Sequence, residues 1–600
     1  MTDFTVRLTA LRDQLRAVGL DGFVVPLTDE HLSEYVGSYA GRLGWLTGFQ
    51  GSAGAAAVLA GEAAIFTDGR YTIQVRDQVD GAHWSYQPLP ESSISGWLGE
   101  HAPQGARIGY DPWLHTKAWV GEARTALAAR GAELVAVERN PVDAVWTDRP
   151  APSVAKLVPH GIEHAGKSSA EKRQEMADWL REEEADAAVL SALDSIAWTF
   201  NVRGSDVDHT PVPLAFALVR DDGTADLFVE PEKIDEAVLR HLGNGVRLHP
   251  RNEFAAQLGA LAGKTVAVDP DRSVAAIFER LEAAGARLIA KRDPAVLAKA
   301  IKNDVEIAGH RAAQARDGAA LSRFLRWLSI EAPKGGIDEL GAAAKLQELR
   351  RATGVFADLS FDTISGAGPN GAIVHYRVSE ATNRRLELGS LYLVDSGAQY
   401  RDGTTDVTRT IAIGEPTFDM RDRFTRVLKG HIALACAVFP DGTCGSQLDT
   451  LARQYLWADG LDYAHGTGHG VGSFLSVHEG PQRIAKSSGG QAGTEEPLRA
   501  GMILSNEPGY YKTGAYGIRI ENLILVEGRA IQGAEKPMLG FETLTFAPID
   551  RALIDVAMLA PAERDWIDNY HREVMARIGP SLAADDRNWL EAACAPMGMS

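Results

Sequence analysis

The sequence predicts a multidomain α/β chain: two related helix–strand domains, then a larger domain in which short strands alternate with helices. Three observations support this. At 600 residues the chain is too long for one hydrophobic core. A share of 45% hydrophobic residues belongs to a folded protein, not a disordered one. A helix–strand–aromatic unit occurs twice in the first half, as in a diverged duplication.

In the first unit, Leu8, Leu11, Leu15 and Val18 share one face of an amphipathic helix. Gly19 and Asp21-Gly22 end it, and Phe23-Val24-Val25 reads as a buried strand. The aromatic motif Leu43-Gly44-Trp45-Leu46-Thr47-Gly48-Phe49 follows. The second unit starts near Ala170. Its helix carries Met176, Trp179 and Leu180, its strand is Ala187-Ala188-Val189-Leu190, and its motif is Ile196-Ala197-Trp198-Thr199-Phe200-Asn201. Residues 140–153 hold three prolines and read as a linker. Arg292-Asp293-Pro294 marks a second boundary. Beyond it, residues 298–330 read as one long helix, with Ile301, Val305, Ile307, Leu321, Phe324 and Leu325 at helical spacing. The tail from about Pro548 carries one further helix, near residues 561–578. The expected domains are therefore 1–153, 154–297 and 298–547, with 548–600 as an extension of the last.

Lys plus Arg number 61 and Asp plus Glu 80, a net charge of −19. That balance argues against nucleic acid as a partner and against a polybasic membrane-surface protein. Three cysteines, Cys436, Cys444 and Cys594, are too few and too odd a set for a disulfide framework, which points to a reducing compartment. The first twenty residues show no continuous apolar core of a signal peptide, and no stretch approaches a membrane span. The expectation is a soluble, cytoplasmic protein.

The chemistry lies between residues 370 and 525. Asp395 closes the apolar run Leu391-Tyr392-Leu393-Val394, and Asp406 follows in Thr404-Thr405-Asp406-Val407. An Asp402-Gly403 turn signal between them predicts a hairpin with the two acids on adjacent strands. Side chains on one face of paired strands lie about 5 Å apart. Two carboxylates at that distance repel, and a cation keeps both ionised. In Ala464-His465-Gly466-Thr467-Gly468-His469-Gly470-Val471-Gly472, glycine at alternate positions forbids a stable helix, so this is not a helical zinc-protease pair. It lets the backbone pass close to a ligand or metal. Glu507 ends the strand Met502-Ile503-Leu504, and Glu521 lies inside an apolar strand leading to Leu523-Ile524-Leu525. An acid flanked by Ile520 and Leu523 is costly to bury unless it is paired or metal-bound. Four carboxylates and an imidazole make a hard donor set suited to Mn²⁺, Mg²⁺, Co²⁺ or Zn²⁺. Bridging carboxylates favour two ions about 3.5–4 Å apart, a pair that activates water and polarises a carbonyl.

The series Asp395…Asp406…His465-Gly-Thr-Gly-His469-Gly-Val-Gly…Glu507-Pro-Gly…Glu521-Asn522 resembles the pita-bread metallopeptidases. Within them it is similar to the Xaa-Pro aminopeptidases (aminopeptidase P) of the long, three-domain form. The segments from Trp457 to His465 and Phe474-Leu-Ser-Val-His478-Glu-Gly-Pro481 resemble that form in particular, and the two upstream units resemble its creatinase-type N-terminal domains. The resemblance implies an α/β (α+β) chain of two creatinase-type domains followed by a pita-bread catalytic domain. It implies hydrolysis of the N-terminal Xaa-Pro bond of peptides by a dimetal-bridged hydroxide. Two divalent ions, usually Mn²⁺, with Zn²⁺ or Co²⁺ as alternatives, would be held by Asp395, Asp406, His469, Glu507 and Glu521. Asp406 and Glu521 would bridge them, and Glu507 would also carry a proton towards the leaving nitrogen. His375 and His478 would hydrogen-bond the scissile-bond region, His465 would line the proline side, and Arg70 would reach substrate from the N-terminal half. A homodimer is implied as well.

Other readings keep the fold and change the task. A prolidase would cut Xaa-Pro dipeptides. A creatinase works without metal and need not retain this ligand set. A methionine aminopeptidase would need neither the length nor the two N-terminal domains. A metal-free pita-bread binding module would have lost ligands, and all five positions are filled here.

Overall fold

The computed structural model describes residues 4–487 and 493–598. The chain divides into two compact units, Met1–Val296 and Leu297–Ser600.

The first unit contains two six-stranded sheets. In space, the first runs Ser85–Pro88, Ala63–Thr67, Ala55–Leu59, Gly22–Pro26, Arg107–Tyr110, Glu133–Ala136. The second runs Val246–His249, Ala225–Val229, Ala215–Arg220, Ala187–Leu190, Thr265–Val268, Arg287–Ala290. Strand order is the same in both, and so is the sense of every pairing. The opening strand pairs antiparallel with the second and parallel with the fifth in each sheet. The duplication expected from the helix–strand units is thus present in the topology. Each opening strand follows an amphipathic helix, Phe4–Ala17 or Ser169–Glu182, whose apolar face is buried. Ser168 and Glu171 form a capping box that sets the start of the second helix.

Residues 140–153 begin with a short helix and continue as irregular chain. Asn140 caps a short helix, Pro141–Val145, with proline at its start. Asp143 in that helix holds Arg42 at 2.7 Å and Arg149 at 2.6 Å. The expected single helix over 298–330 is instead two, Pro294–Ala300 and Asp304–Glu331. Asn303 accepts from the amides of Val305 and Glu306, and Glu306 returns a bond to the Asn303 amide. A capping box therefore starts the second helix inside an otherwise helical pattern. Ile301 makes a β-bridge to Met502 in the interruption.

The second unit has a three-stranded sheet, Ile364–Ala367, Ser390–Ser396 and Val407–Ile413. A six-stranded sheet runs Val438–Pro440, Met538–Thr543, Asn522–Arg529, Ile503–Asn506, Gly468–Gly470, Glu479–Ile484. The hairpin Gly509–Lys512 with Tyr516–Arg519 completes the part that carries the site. Helices Phe418–Ala435 and Pro561–Ile578 bury Phe424, Val427, Leu428, Ile567, Tyr570 and Val574 in a core shared with Ile518 and Ile520. That packing fixes the strand leading into Glu521. Glu521 itself sits in the break between strands Tyr516–Arg519 and Asn522–Arg529, not inside one strand as expected. Among the described residues, no helix is long and apolar enough to cross a membrane.

Candidate metal centre

Asp395 lies on strand Ser390–Ser396 opposite Thr408 of the antiparallel strand Val407–Ile413, and Asp406 immediately precedes that strand. At the neck of this hairpin Gly397 packs against backbone, where an added Cβ would lie 1.9 Å from the Thr405 carbonyl oxygen. Only glycine permits this approach. Gly468 does the same on the facing sheet, where a Cβ would meet the Ser505 carbonyl oxygen at 2.0 Å. His469 and Glu507 are joined through that contact. The His469 amide donates to Ser505 Oγ at 3.0 Å, and Ser505 Oγ donates to Glu507 Oε1 at 3.1 Å.

These elements bring the five predicted donors into one cluster. His469 Nε2 is 3.5 Å from Asp406 Oδ2 and 3.5 Å from Glu507 Oε1. Donor atoms of Asp406, His469 and Glu521 all lie within 4.8 Å of one another. Asp395 joins through Arg519, whose Nη2 donates to Asp395 Oδ2 at 2.6 Å and whose Nε donates to Thr408 Oγ1 at 3.2 Å. Thr408 Oγ1 in turn donates to Glu521 Oε2 at 2.8 Å. His469 Nδ1 donates to the Gly470 carbonyl at 2.9 Å, leaving Nε2 as an acceptor directed at the carboxylates.

Electrostatically the cluster crowds four carboxylates around the Arg519 guanidinium. Asp406 and Glu521 are 4% and 1% exposed. Burial raises the Asp406 pKa well above the usual carboxylate range, and repulsion from Asp395 and Glu507 adds to it. Burial does the same to Glu521, with repulsion from Asp406, Asp395 and Glu507 behind it. Asp395 Oδ1 and Asp406 Oδ1 are buried with no hydrogen-bond partner. Buried carboxylate oxygens left in this way are suited to metal coordination, and an oxygen-rich set with one imidazole suits a hard or borderline divalent ion.

The remaining predicted residues are placed as follows. The His478 ring stands edge-on to His469, with centroids 4.3 Å apart. His465 Nδ1 donates to the Gly466 carbonyl at 2.8 Å, and its Nε2 accepts from the Tyr511 hydroxyl at 2.8 Å. Arg519 Nη1 donates to that same hydroxyl at 2.6 Å. His375 is half-buried in the turn after Gly368–Ala372. Buried Glu339 locks this turn, accepting from the Ala367 amide, Asn370, the Tyr376 hydroxyl and the Arg384 amide. Gly517 of the hairpin strand packs on the Gly371 carbonyl of the same turn. Arg70 belongs to the other unit. Its guanidinium lies on Asp68 at 2.7 Å, with Glu34 at 3.9 Å and the Tyr71 ring 5.3 Å below. Burial opposes the Arg70 charge, and bonding to Asp68, helped by Tyr71 and Glu34, outweighs it and raises the pKa.

Sequence reasoning missed Arg519, Tyr511 as a bonding partner, Thr408 and Ser505. Arg519 was legible in principle. It lies between Ile518 and Ile520, so the burial argument applied to Glu521 holds equally for a guanidinium two residues earlier. A second network carries the loop of His465. Arg453 donates to Asp449 at 2.6 Å and to the carbonyls of Tyr463 and His465 at 2.7 and 2.8 Å. Thr467 Oγ1 donates to Asp449 at 2.5 Å.

The model of Metallopeptidase family M24 matches residues 308–528. Creatinase/Prolidase N-terminal domain models match 7–145 and 148–306, and the C-terminal region of the M24 peptidases matches 537–597. A protein named Probable Xaa-Pro aminopeptidase P from Paracoccidioides brasiliensis is 42% identical over 99% of this chain and 99% of its own length. The Aspergillus flavus protein of the same name is 42% identical over 98% of this chain and 92% of its own. The chain belongs to metallopeptidase family M24. Its fold is accordingly two creatinase-type domains and a pita-bread domain. A solved structure, the X-prolyl aminopeptidase of Caenorhabditis elegans, described as a cytosolic enzyme with a di-nuclear active site, is 35% identical. It superposes with a TM-score of 0.94, covering 100% of both chains. The Xaa-Pro dipeptidase of Bacillus anthracis is 25% identical with a TM-score of 0.52, and covers 64% of this chain and 99% of its own.

Proposed function

We propose that this M24 chain is a metalloaminopeptidase that hydrolyses the N-terminal Xaa-Pro bond of peptides. The observation that carries the reading is the buried cluster of Asp395, Asp406, His469, Glu507 and Glu521, with two carboxylate oxygens lacking any protein partner. Full-length likeness to proteins named for that activity supplies the substrate class. The matches that span the whole chain carry the aminopeptidase name, which supports that reading over the prolidase one.

Asp395, Asp406, His469, Glu507 and Glu521 would hold two divalent ions. Mn²⁺ is the proposed native metal, with Zn²⁺ or Co²⁺ as alternatives. Such ions lower the pKa of water and polarise a scissile carbonyl. Glu507 is the proton carrier. It is the most exposed carboxylate of the set, with side-chain exposure of 17% against 5% for Asp406 and 10% for Asp395. A group that takes a proton from attacking water and returns it to the departing proline nitrogen must reach the open side of the site. That nitrogen leaves poorly unless protonated. His375 and His478 flank the scissile bond. His465 lines the proline side together with Tyr511, whose bond from Arg519 holds the ring in place. Burial raises the Tyr511 hydroxyl to about 12, so it remains a donor. Arg70 is a further proposed substrate contact. Residues 1–153 and 154–297 are read as the two N-terminal domains, 298–547 as the catalytic domain and 548–600 as its extension. The protein is read as cytoplasmic and homodimeric.

The test compares Arg-Pro-Pro with an Xaa-Pro dipeptide on manganese-loaded protein. Release of the first residue from the tripeptide is expected. Hydrolysis confined to the dipeptide would make the enzyme a prolidase. His375→Ala is expected to lower kcat by roughly 10- to 100-fold, as for a lost orienting hydrogen bond. Both metals should remain bound by elemental analysis, and metal loss would show that His375 is misassigned.

A further inference from the structure

His478 lies against His469. The next residue, Glu479, is held by a separate network. Its carboxylate is fully buried, with 0% side-chain exposure, and it is held by two lysines that are equally buried. Lys302 Nζ donates to Glu479 Oε1, and Lys299 Nζ approaches Oε2 at 3.2 Å. Lys302 Nζ also donates to the Lys299 carbonyl at 2.7 Å, so the two lysines act as one clamp. The clamp is anchored on the site sheet. The Lys302 amide donates to the Gly501 carbonyl at 2.9 Å, and Ile301 bridges Met502 at the root of the strand that ends in Glu507.

Glu479 is also tied to the His469 strand. It pairs with Gly470 across a register shift, and a Cβ on Gly470 would meet the Glu479 carbonyl oxygen at 2.3 Å. The loop between them closes on itself through a bond from the Gly472 amide to the Ser476 carbonyl at 3.0 Å. The backbone on the C-terminal side of His478 is thereby fixed at Glu479. A buried ion pair is a poor source of net stability, because desolvation offsets the attraction. It does fix geometry, because the carboxylate has no alternative partner of equal strength and no access to water.

We propose that Glu479, held by Lys302 and Lys299, is a positioning residue that sets the His478 imidazole for the reaction. This rests on the role given to His478 above. A shift of about 1 Å in an orienting group can lower turnover by roughly 100-fold. Lys302→Met and Glu479→Gln are therefore each expected to lower kcat by about 10- to 100-fold. KM should change less than threefold, and both metals should stay bound. Lys302→Arg should recover most of the loss, since it restores the charge at the same carboxylate.

The deciding measurement is a double-mutant cycle with His478→Ala in manganese-loaded enzyme. If the clamp acts through His478, Glu479→Gln has almost no further effect once His478 is alanine. Full additivity of the two losses would overturn the proposal and leave the role of His478 standing. Wild-type kcat in His478→Ala alone would remove that role, and the proposal with it. Glu479→Gln keeps the side-chain shape and one acceptor, so it serves where Lys302→Met fails to fold. Unchanged kcat in folded, metal-loaded Glu479→Gln would also overturn the proposal.

Discussion

Asp406→Ala is expected to abolish turnover and metal loading together. Asp406 is the donor nearest His469 Nε2 together with Glu507, and one of its oxygens has no protein partner. On the proposed ligand set, removing it would take away a donor to the metal pair, so metal affinity should fall. The lowering of the pKa of water that such ions would supply would be lost with them, and kcat should fall by at least ~10⁴-fold. Elemental analysis should then find well under two ions per chain. The neighbouring strands are held by other bonds, so the fold should persist in circular dichroism. Normal activity, or full metal content, would break the site as described.

The second large effect concerns stability. Without metal, Asp406 and Glu521 have raised pKa values in the folded chain, from burial and mutual repulsion. In the unfolded chain they titrate near 4. The folded state then binds more protons than the unfolded one, so stability falls as pH rises. The contribution is complete below about pH 4 and disappears as pH climbs through the raised folded values. Metal-stripped protein is therefore expected to melt at progressively lower temperature from pH 5 to pH 8. Metal ions bind the ionised form and reverse this. At a thousand times Kd a ligand adds about 4 kcal/mol, which in a domain of this size is a Tm increase on the order of 10 °C. Calorimetry of chelator-treated and manganese-loaded protein across that pH range checks both. Parallel curves with no separation would mean that the carboxylates do not share a cation.

Much of this centre was legible in the sequence because metal chemistry limits the residues that can serve. Asp395 and Asp406, flanking an Asp-Gly turn, announce a hairpin, and the structure forms it, with Asp395 in a strand but Asp406 in the gap just before the partner strand rather than on it. His469 stood out through its flanking glycines, and Glu521 through its apolar neighbours. Bonds formed between segments far apart in the chain were not legible. Arg519 meets Asp395 across 124 positions and Thr408 across 111, and no local periodicity encodes such a pairing. The interruption of the helix at Asn303 was missed for the opposite reason. The apolar spacing continues through it, and only the capping geometry of Asn303 and Glu306 shows where one helix ends and the next begins. The six-strand order of the N-terminal sheets was likewise out of reach, since the helix–strand units suggested a repeat without saying how the strands would be arranged.

Gly397 and Gly468 give the catalytic half an unusual vulnerability. At each, one methyl group would drive two backbones apart at a point from which opposed ligands are hung. An alanine at either position would widen the cage itself, so its phenotype would mimic deletion of a coordinating residue although nothing that touches a cation had changed. In a saturation library, these two silent positions would score alongside the aspartates, and reading them as chemistry would give a coordinating role to residues that have no donor atom to offer.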